Sequence, residues 1–164
     1  PEMAMLVPEG RHEVTTEGGL NIVEQEQHLR TVVSRLAQAG IQTSVFIDAE
    51  LAQVAAASRI GVHVCELHTG PYALAFHTQG RDEESQAVKV ELAKLRTASE
   101  AISNAGMRLN AGHALNYANV QPVTALPNIR ELHIGHAIVS RAVFVGMREA
   151  VREMKNLING TPHP

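Results

Sequence analysis

Three apolar runs in this chain each end in a turn rich in glycine and polar side chains, and a stretch able to form a helix follows each one. They read Val64-Cys65-Glu66-Leu67-His68-Thr69-Gly70, Met107-Arg108-Leu109-Asn110-Ala111-Gly112-His113 and Leu132-His133-Ile134-Gly135-His136. Repeated strand, polar turn and helix restricts a chain to parallel α/β architectures, because parallel neighbours need a crossover long enough to hold a helix. In β/α barrels the chemistry sits at the C-terminal ends of the strands. The pattern therefore singles out Glu66, His68, Asn110, His113, His133 and His136 as candidate reactive groups.

The remaining elements follow the same rhythm. Met3 to Val7 is an apolar run broken by Pro8-Glu9-Gly10. Arg11 to Gly19 is a polar loop. Leu20, Val23, Leu29, Val32, Val33 and Leu36 recur at helical spacing, and Gly40 ends that helix. Ile41 to Ile47 reads as a strand ending at Asp48, and Glu50 to Ser58 as a short Ala-rich helix. After the Val62 to Leu67 strand, Thr69 to Arg81 reads as a long loop, with Leu74 to Glu84 lengthening a lid-like segment. Asp82 to Asn104 is a helix, Met107 to Asn110 a strand, Asn119 to Leu126 a short helix and Leu132 to Ile134 the last strand. Ala137 to Ile158 is read as one terminal helix, and residues 159–164 as a tail expected to fray.

These are five strands and five helical segments in strict alternation. Side-chain parity separates two architectures. Val45, Ile47, Leu67, Leu109, Ala111, Leu132 and Ile134 form one apolar class, whereas Ser44, Asp48, Glu66, His68, Asn110 and His133 fall in the other. A doubly wound sheet covered on both faces would be apolar on both. One polar face converging at strand ends fits a barrel lumen. The expected fold is therefore α/β, a (β/α)8 TIM barrel of which this chain supplies about five βα units. Residues 1–164 form a single partial domain, short of the first three units. The chain also opens on Pro1 and enters a strand with no lead-in, so it is expected to be part of a longer protein.

Composition narrows the function. With 164 residues, 45% of them hydrophobic, the chain can build one core. A net charge of −3 argues against nucleic-acid binding, which needs a basic excess. With no Trp and only 2 Tyr and 3 Phe, the chain has few rings on which bases could stack. No apolar run approaches the roughly 18 residues of a membrane span. The single cysteine, Cys65, forms no intrachain disulfide, and with no secretory signal pattern the expected location is cytoplasmic.

Six strings occur in order. They are Leu6-Val7-Pro8-Glu9, Glu13-Val14-Thr15-Thr16-Glu17-Gly18-Gly19-Leu20, Phe46-Ile47-Asp48-Ala49, Glu66-Leu67-His68-Thr69-Gly70, Leu109-Asn110-Ala111-Gly112-His113 and Ile134-Gly135-His136-Ala137-Ile138. Together they resemble the pyridoxine 5′-phosphate synthase family, over nearly the whole chain. The resemblance implies the fourth to eighth units of a β/α barrel. It also implies condensation of 1-deoxy-D-xylulose 5-phosphate with 3-amino-2-oxopropyl phosphate (1-amino-acetone 3-phosphate), giving pyridoxine 5′-phosphate, phosphate and water. No metal or organic cofactor is implied, and the implied assembly is a homo-octamer.

The resemblance also assigns roles. His113 would be the proton donor of the late steps, a task suited to a side chain that titrates near neutrality. The alternative is a structural histidine hydrogen-bonded at a strand end. Glu66 would be the transition-state stabiliser of charged intermediates, since a lumen carboxylate is costly unless paired or used; the alternative is a buried salt bridge. Thr15 would bind the sugar phosphate, or instead cap the helix that begins near Leu20. Gly135 and His136 would contact substrate at a helix N-terminus, where free N–H groups favour phosphate. Gly112 allows close backbone approach, and His68 and Asn110 are supporting candidates, His68 as a group that either orients Glu66 or only fills space. The family usually carries glycine after the His of the Asn-Ala-Gly-His turn and binds substrate through its backbone; here that position is Ala114. The family's His and Glu general bases, and its Arg and Asn phosphate contacts, belong to the first three units. Two other readings stand beside this one. Glu66, His68, His113 and His136 could ligate Zn²⁺ in a barrel hydrolase, although no tight His-x-His spacing supports it. The chain could also be an inactive half-barrel that functions only with an assembly partner.

Overall fold

The computed structural model of the chain describes residues 1–8 and 18–160. The strands are β1 (Met3–Leu6), β2 (Gln42–Ile47), β3 (Val64–His68), β4 (Arg108–Gly112) and β5 (Ile129–His133). The helices are α1 (Ile22–Gln38), α2 (Leu51–Ile60), α3 (Gly70–Thr78), α4 (Gln86–Asn104), α5 (Val120–Thr124), α6 (His136–Val145) and α7 (Met147–Ile158). All strands are parallel and lie in the order β1-β2-β3-β4-β5. Each strand pairs with its sequence neighbour, the order in which right-handed crossovers put the connecting helices on one face of a sheet. A doubly wound sheet would need its strand order to reverse. The order is that of a β/α barrel wall, as expected from side-chain parity.

The register makes the two faces unlike. Val45 lies beside Cys65 and Leu109, and Ile47 beside Leu67 and Ala111. All six are buried to 1% exposure or less and pack under the helices. On the opposite face Phe46, Glu66, Asn110 and Glu131 form one row, and His68, Gly112 and His133 the next. A register shift between Leu109 and Asn110 carries β5 along β4.

Local chemistry explains most boundaries. Asn21 caps α1 by accepting the Glu24 N–H at 3.3 Å. Gln53 reaches from α2 to take the Ile22 N–H at 2.8 Å and the Val23 N–H at 3.3 Å, so two orphan donors of α1 are satisfied by its neighbour. Ser85 caps α4 through the Val88 N–H at 3.4 Å.

Three expectations need correction. The segment from Thr69 to Arg81 is not a loop. It holds α3, which buries Tyr72, Ala73 and Phe76. Gly70-Pro71 resembles a turn in sequence, but proline is compatible with the first turn of a helix, where its missing N–H costs nothing. The lid-like lengthening after β3 is therefore the end of this helix and the turn that follows. The terminal helix is two helices, broken at Gly146, which adopts φ 84° and ψ 152°. α7 folds back on α6 and α5, Arg141 meets Glu153 across the break at 2.7 and 2.8 Å, and Tyr117 donates to the Ala150 carbonyl at 2.8 Å. Thus seven helices, not five, occur among the described residues. The last strand also begins earlier than Leu132, at Ile129. Residues 9–17, with Thr15, and residues 161–164 lie outside the described residues.

Gly19 crosses the end of β2 so closely that a Cβ there would stand 2.1 Å from the Asp48 nitrogen and 2.5 Å from the Ile47 carbonyl carbon. Backbone cannot swing aside as a side chain can. Gly19→Ala is expected to destabilise by about 1–3 kcal/mol, the usual cost of overpacking, seen as a lowered urea midpoint at unchanged slope.

Candidate active site

Glu66 points from β3 into the polar face and is only 5% exposed. Its Oε2 lies 2.5 Å from Nδ1 of His133 on β5, and His133 Nε2 lies 3.5 Å from Glu131 Oε2. Burying a carboxylate is tolerable when a donor compensates its lost hydration. The bond to Glu66 is the chief reason why His133 holds its proton above the ordinary histidine range, against the opposing effect of burial. The intervening strand makes room for the pair. A Cβ at Gly112 would stand 2.5 Å from Glu66 Oε1 and 3.0 Å from His133 Cβ. The group that orients Glu66 is therefore His133 and not His68.

His113 follows β4 at φ +82°, and Ala114 continues at φ +58°. Side chains with a Cβ rarely adopt this left-handed region. The turn is held from β3. The Thr69 N–H donates to the Gly112 carbonyl at 2.9 Å, and the buried Thr69 hydroxyl lies 2.7 Å from that oxygen and 2.5 Å from the His113 carbonyl. Asn119 accepts the Asn116 N–H at 2.7 Å and donates to the Ala114 carbonyl at 3.2 Å. The His113 ring meets His68 edge-on at 5.0 Å and Phe46 at 6.1 Å between centroids. Burial, and then the His68 charge, hold the His113 pKa below the ordinary histidine value, while Glu66 opposes the shift. His113 is thus biased toward the neutral ring.

A cavity of about 700 Å³ is lined by Phe46, Glu66, His113, Ala114, His133, Gly135 and His136, among others. Gly135 is the N-cap of α6 and His136 its first residue, with no acidic side chain in the first turn. Its free N–H groups suit an anion. A second cavity of about 710 Å³ lies on the α3 side and shares His113, Ala114 and Asn116 with the first.

The fold therefore brings Glu66, Gly112, His113, Ala114, Gly135 and His136 to one cavity or its wall. Asn110 is set deeper: its Nδ2 donates to Glu131 at 3.3 Å, and its buried Oδ1 has no partner among the described residues. His68 turns the other way and bonds Asp48 at 2.8 Å. Asp48 and Thr69 were not singled out by sequence as site residues. Asp48 shares the parity of Glu66 and stands at a strand end, which is the signal that would have found it. For Thr69 no sequence signal exists, because its partners are carbonyls more than forty positions away. Cys65 faces the helices, and burial pushes its thiol up to about 12, so it is no nucleophile. Among the described residues no group of three or more His, Cys, Asp or Glu side chains is placed to hold a metal ion. Nor is any helix there long and apolar enough to cross a membrane.

The family profile described as pyridoxal phosphate biosynthesis protein PdxJ matches residues 1–160. The chain belongs to this family. Proteins named pyridoxine 5′-phosphate synthase match it closely. That of Azoarcus sp. (strain BH72) is 73% identical over 96% of this chain and 64% of its own length. That of Aromatoleum aromaticum is 71% identical over 96% of this chain and 63% of its own length. A more distant relative from Rhodopirellula baltica is 50% identical over 97% of this chain and 61% of its own length. The chain thus spans less than two thirds of the length of the curated relatives it matches.

Two measurements check this geometry. At φ +58° Ala114 stores about 1–2 kcal/mol of left-handed strain, more than the roughly 0.4–1 kcal/mol of added unfolded-state entropy that glycine brings. Ala114→Gly is expected to raise stability by about 0.5–1 kcal/mol in urea denaturation. The second concerns pH. A proton held more tightly by folded than by unfolded protein stabilises the fold, so the His133 contribution is complete below the ordinary value near 6.5 and disappears as pH rises through its raised folded value. The stability gap between wild type and His133→Gln should close on going from acid to alkaline pH. His113, whose proton is disfavoured in the fold, works in the opposite sense: its protonation destabilises as pH falls below about 6.5.

Proposed function

We propose that the full-length protein condenses 1-deoxy-D-xylulose 5-phosphate with 3-amino-2-oxopropyl phosphate, forming pyridoxine 5′-phosphate, phosphate and water. The observation that carries this reading is the convergence of Glu66, His113 and the α6 N-terminus on one cavity, in a chain whose relatives are named pyridoxine 5′-phosphate synthase.

The chemistry asks for little else. An amine joins a ketone with loss of water, and ring closure follows, each step moving protons between substrate and protein. A neutral His113 at the cavity wall can accept a proton in an early step and return it later, which reconciles its lowered pKa with the role of late proton donor. Glu66, held by His133, offers fixed negative charge to iminium-like intermediates. Gly135, His136 and the backbone of Ala114 would hold a phosphate or its neighbouring oxygens. Thr15 would bind the sugar phosphate. Neither metal nor organic cofactor enters this scheme, and the assembly is a cytoplasmic homo-octamer.

We also propose that the unmatched length of the relatives supplies the first three βα units and closes the barrel. Two features of the described residues support this. β5 is largely exposed, and α6 buries no residue, leaving Val143 79% and Phe144 83% exposed. Open sheet edges of this kind invite pairing with another chain. This favours reading residues 1–164 alone as an inactive half-barrel.

Purified full-length protein supplied with both substrates should form pyridoxine 5′-phosphate, measured by chromatography. His113→Asn should lower kcat by about 10²–10⁴-fold, the usual contribution of a positioned acid or base. Residues 1–164 alone should give no product. Absence of turnover by the full-length protein would sink the proposal.

A further inference from the structure

Asp48 stands at the C-terminal end of β2, and the scheme above has no use for it. Its Oδ1 lies 2.8 Å from His68 Nδ1 and accepts the Gly19 N–H at 3.1 Å. The His68 bond is the main reason why the Asp48 carboxyl stays below its ordinary pKa, with Gly19 adding to the effect and burial opposing it. His68 itself is 6% exposed and does not reach Glu66, so its ring serves something other than the carboxylate.

The ring is held by four neighbours, although His68 also lines the cavity on the α3 side. Its Nδ1 edge is tied to Asp48. At the opposite edge the Gly70 backbone presses so near that a Cβ there would stand 2.3 Å from Nε2 and 3.0 Å from Cε1. Phe46 lies at 5.1 Å between centroids, and His113 at 5.0 Å with the planes 69° apart. A ring locked in this way presents a fixed wall to His113, whose backbone is independently held by Thr69. Among the described residues, the titratable groups whose charge reaches His113 are Glu66 and His68 on β3; each has its own partner, His133 and Asp48 respectively.

We propose that Asp48 and His68 are a positioning dyad for His113: Asp48 fixes the tautomer and orientation of the His68 ring, and that ring fixes the direction in which His113 faces the cavity. The kinetic consequence rests on the function proposed above; the geometric one does not. A carboxylate that accepts from Nδ1 keeps the proton on that nitrogen whenever the ring is neutral. Without it, either nitrogen can carry the proton and the ring can turn.

The test uses the full-length protein with ¹⁵N-labelled histidine, wild type against Asp48→Ala, Asp48→Asn and Gly70→Ala. In wild type the neutral His68 ring should show Nδ1 protonated. Asp48→Ala should mix the two tautomers, shift the His113 titration midpoint and lower kcat by about 10- to 100-fold with KM little changed, as expected of a misdirected group. Asp48→Asn, which keeps an acceptor, should recover the Nδ1–H form and part of the rate. Gly70→Ala pushes the ring from the other edge and should reproduce the loss with Asp48 intact. Thermal unfolding separates these effects from simple destabilisation, which would lower the folded fraction without altering tautomer or titration. An unchanged His68 tautomer and an unchanged His113 titration in Asp48→Ala would overturn the dyad. Altered spectra in a protein whose wild type shows no turnover would leave the dyad standing and remove the proposed function instead.

Discussion

Everything in this molecule depends on one constraint: side chains alternate along each strand, and five parallel strands are locked in one register. A slip of a single residue in β3 would send Glu66 under the helices and Leu67 into the polar face. The apolar row of Val45, Ile47, Cys65, Leu67, Leu109 and Ala111 prevents this, because those side chains would lose their burial together. The core therefore aims the site. Hydrophobic packing on one face sets the position of each carboxylate and imidazole on the other.

Burial of charge is the second theme, and it has one solution repeated. Glu66 meets His133, Asp48 meets His68 and Glu153 meets Arg141, each at 2.5–2.8 Å. In each case one partner is nearly removed from water and the other remains more exposed. The buried member is compensated by a donor or acceptor, while the exposed member keeps part of its hydration. At the polar face this divides the histidines into two kinds. His133 is biased toward its proton by Glu66, and His113 is biased away from it by burial and by His68. Two histidines with opposite tendencies on the wall of one cavity are the raw material of acid–base chemistry.

Much of this was legible in the sequence, and unevenly so. The strands were, because β-branched and aliphatic runs that end in Gly-rich polar turns have few other uses. The barrel-like order followed from the alternation of strands and helices together with side-chain parity. α3 was not legible, because Gly70-Pro71 carries a turn signal that burial of Tyr72 and Phe76 overrides. The break at Gly146 was hidden inside a helical pattern that continues on both sides of it, and only the packing of α7 against α6 and α5 requires the chain to turn there. Of the site, Glu66, Gly112, His113, Ala114, Gly135 and His136 were named from strand-end position and resemblance. Their pairing was not: His68 was the nearer candidate for Glu66 in sequence, yet His133 on β5 is the partner.

What the sequence determined by itself was the class of fold, the strand ends at which polar groups collect, and the family resemblance, since these depend on local periodicity and on strings of neighbouring residues. What only the tertiary structure decided was which polar group meets which. Glu66 chose His133 sixty-seven positions away, His68 chose Asp48 twenty away, and Thr69 reached across to the His113 carbonyl forty-four away. Such pairings are set by the register and tilt of adjacent strands at ångström scale. No local pattern encodes that distance, because it is the sum of the packing of the whole sheet.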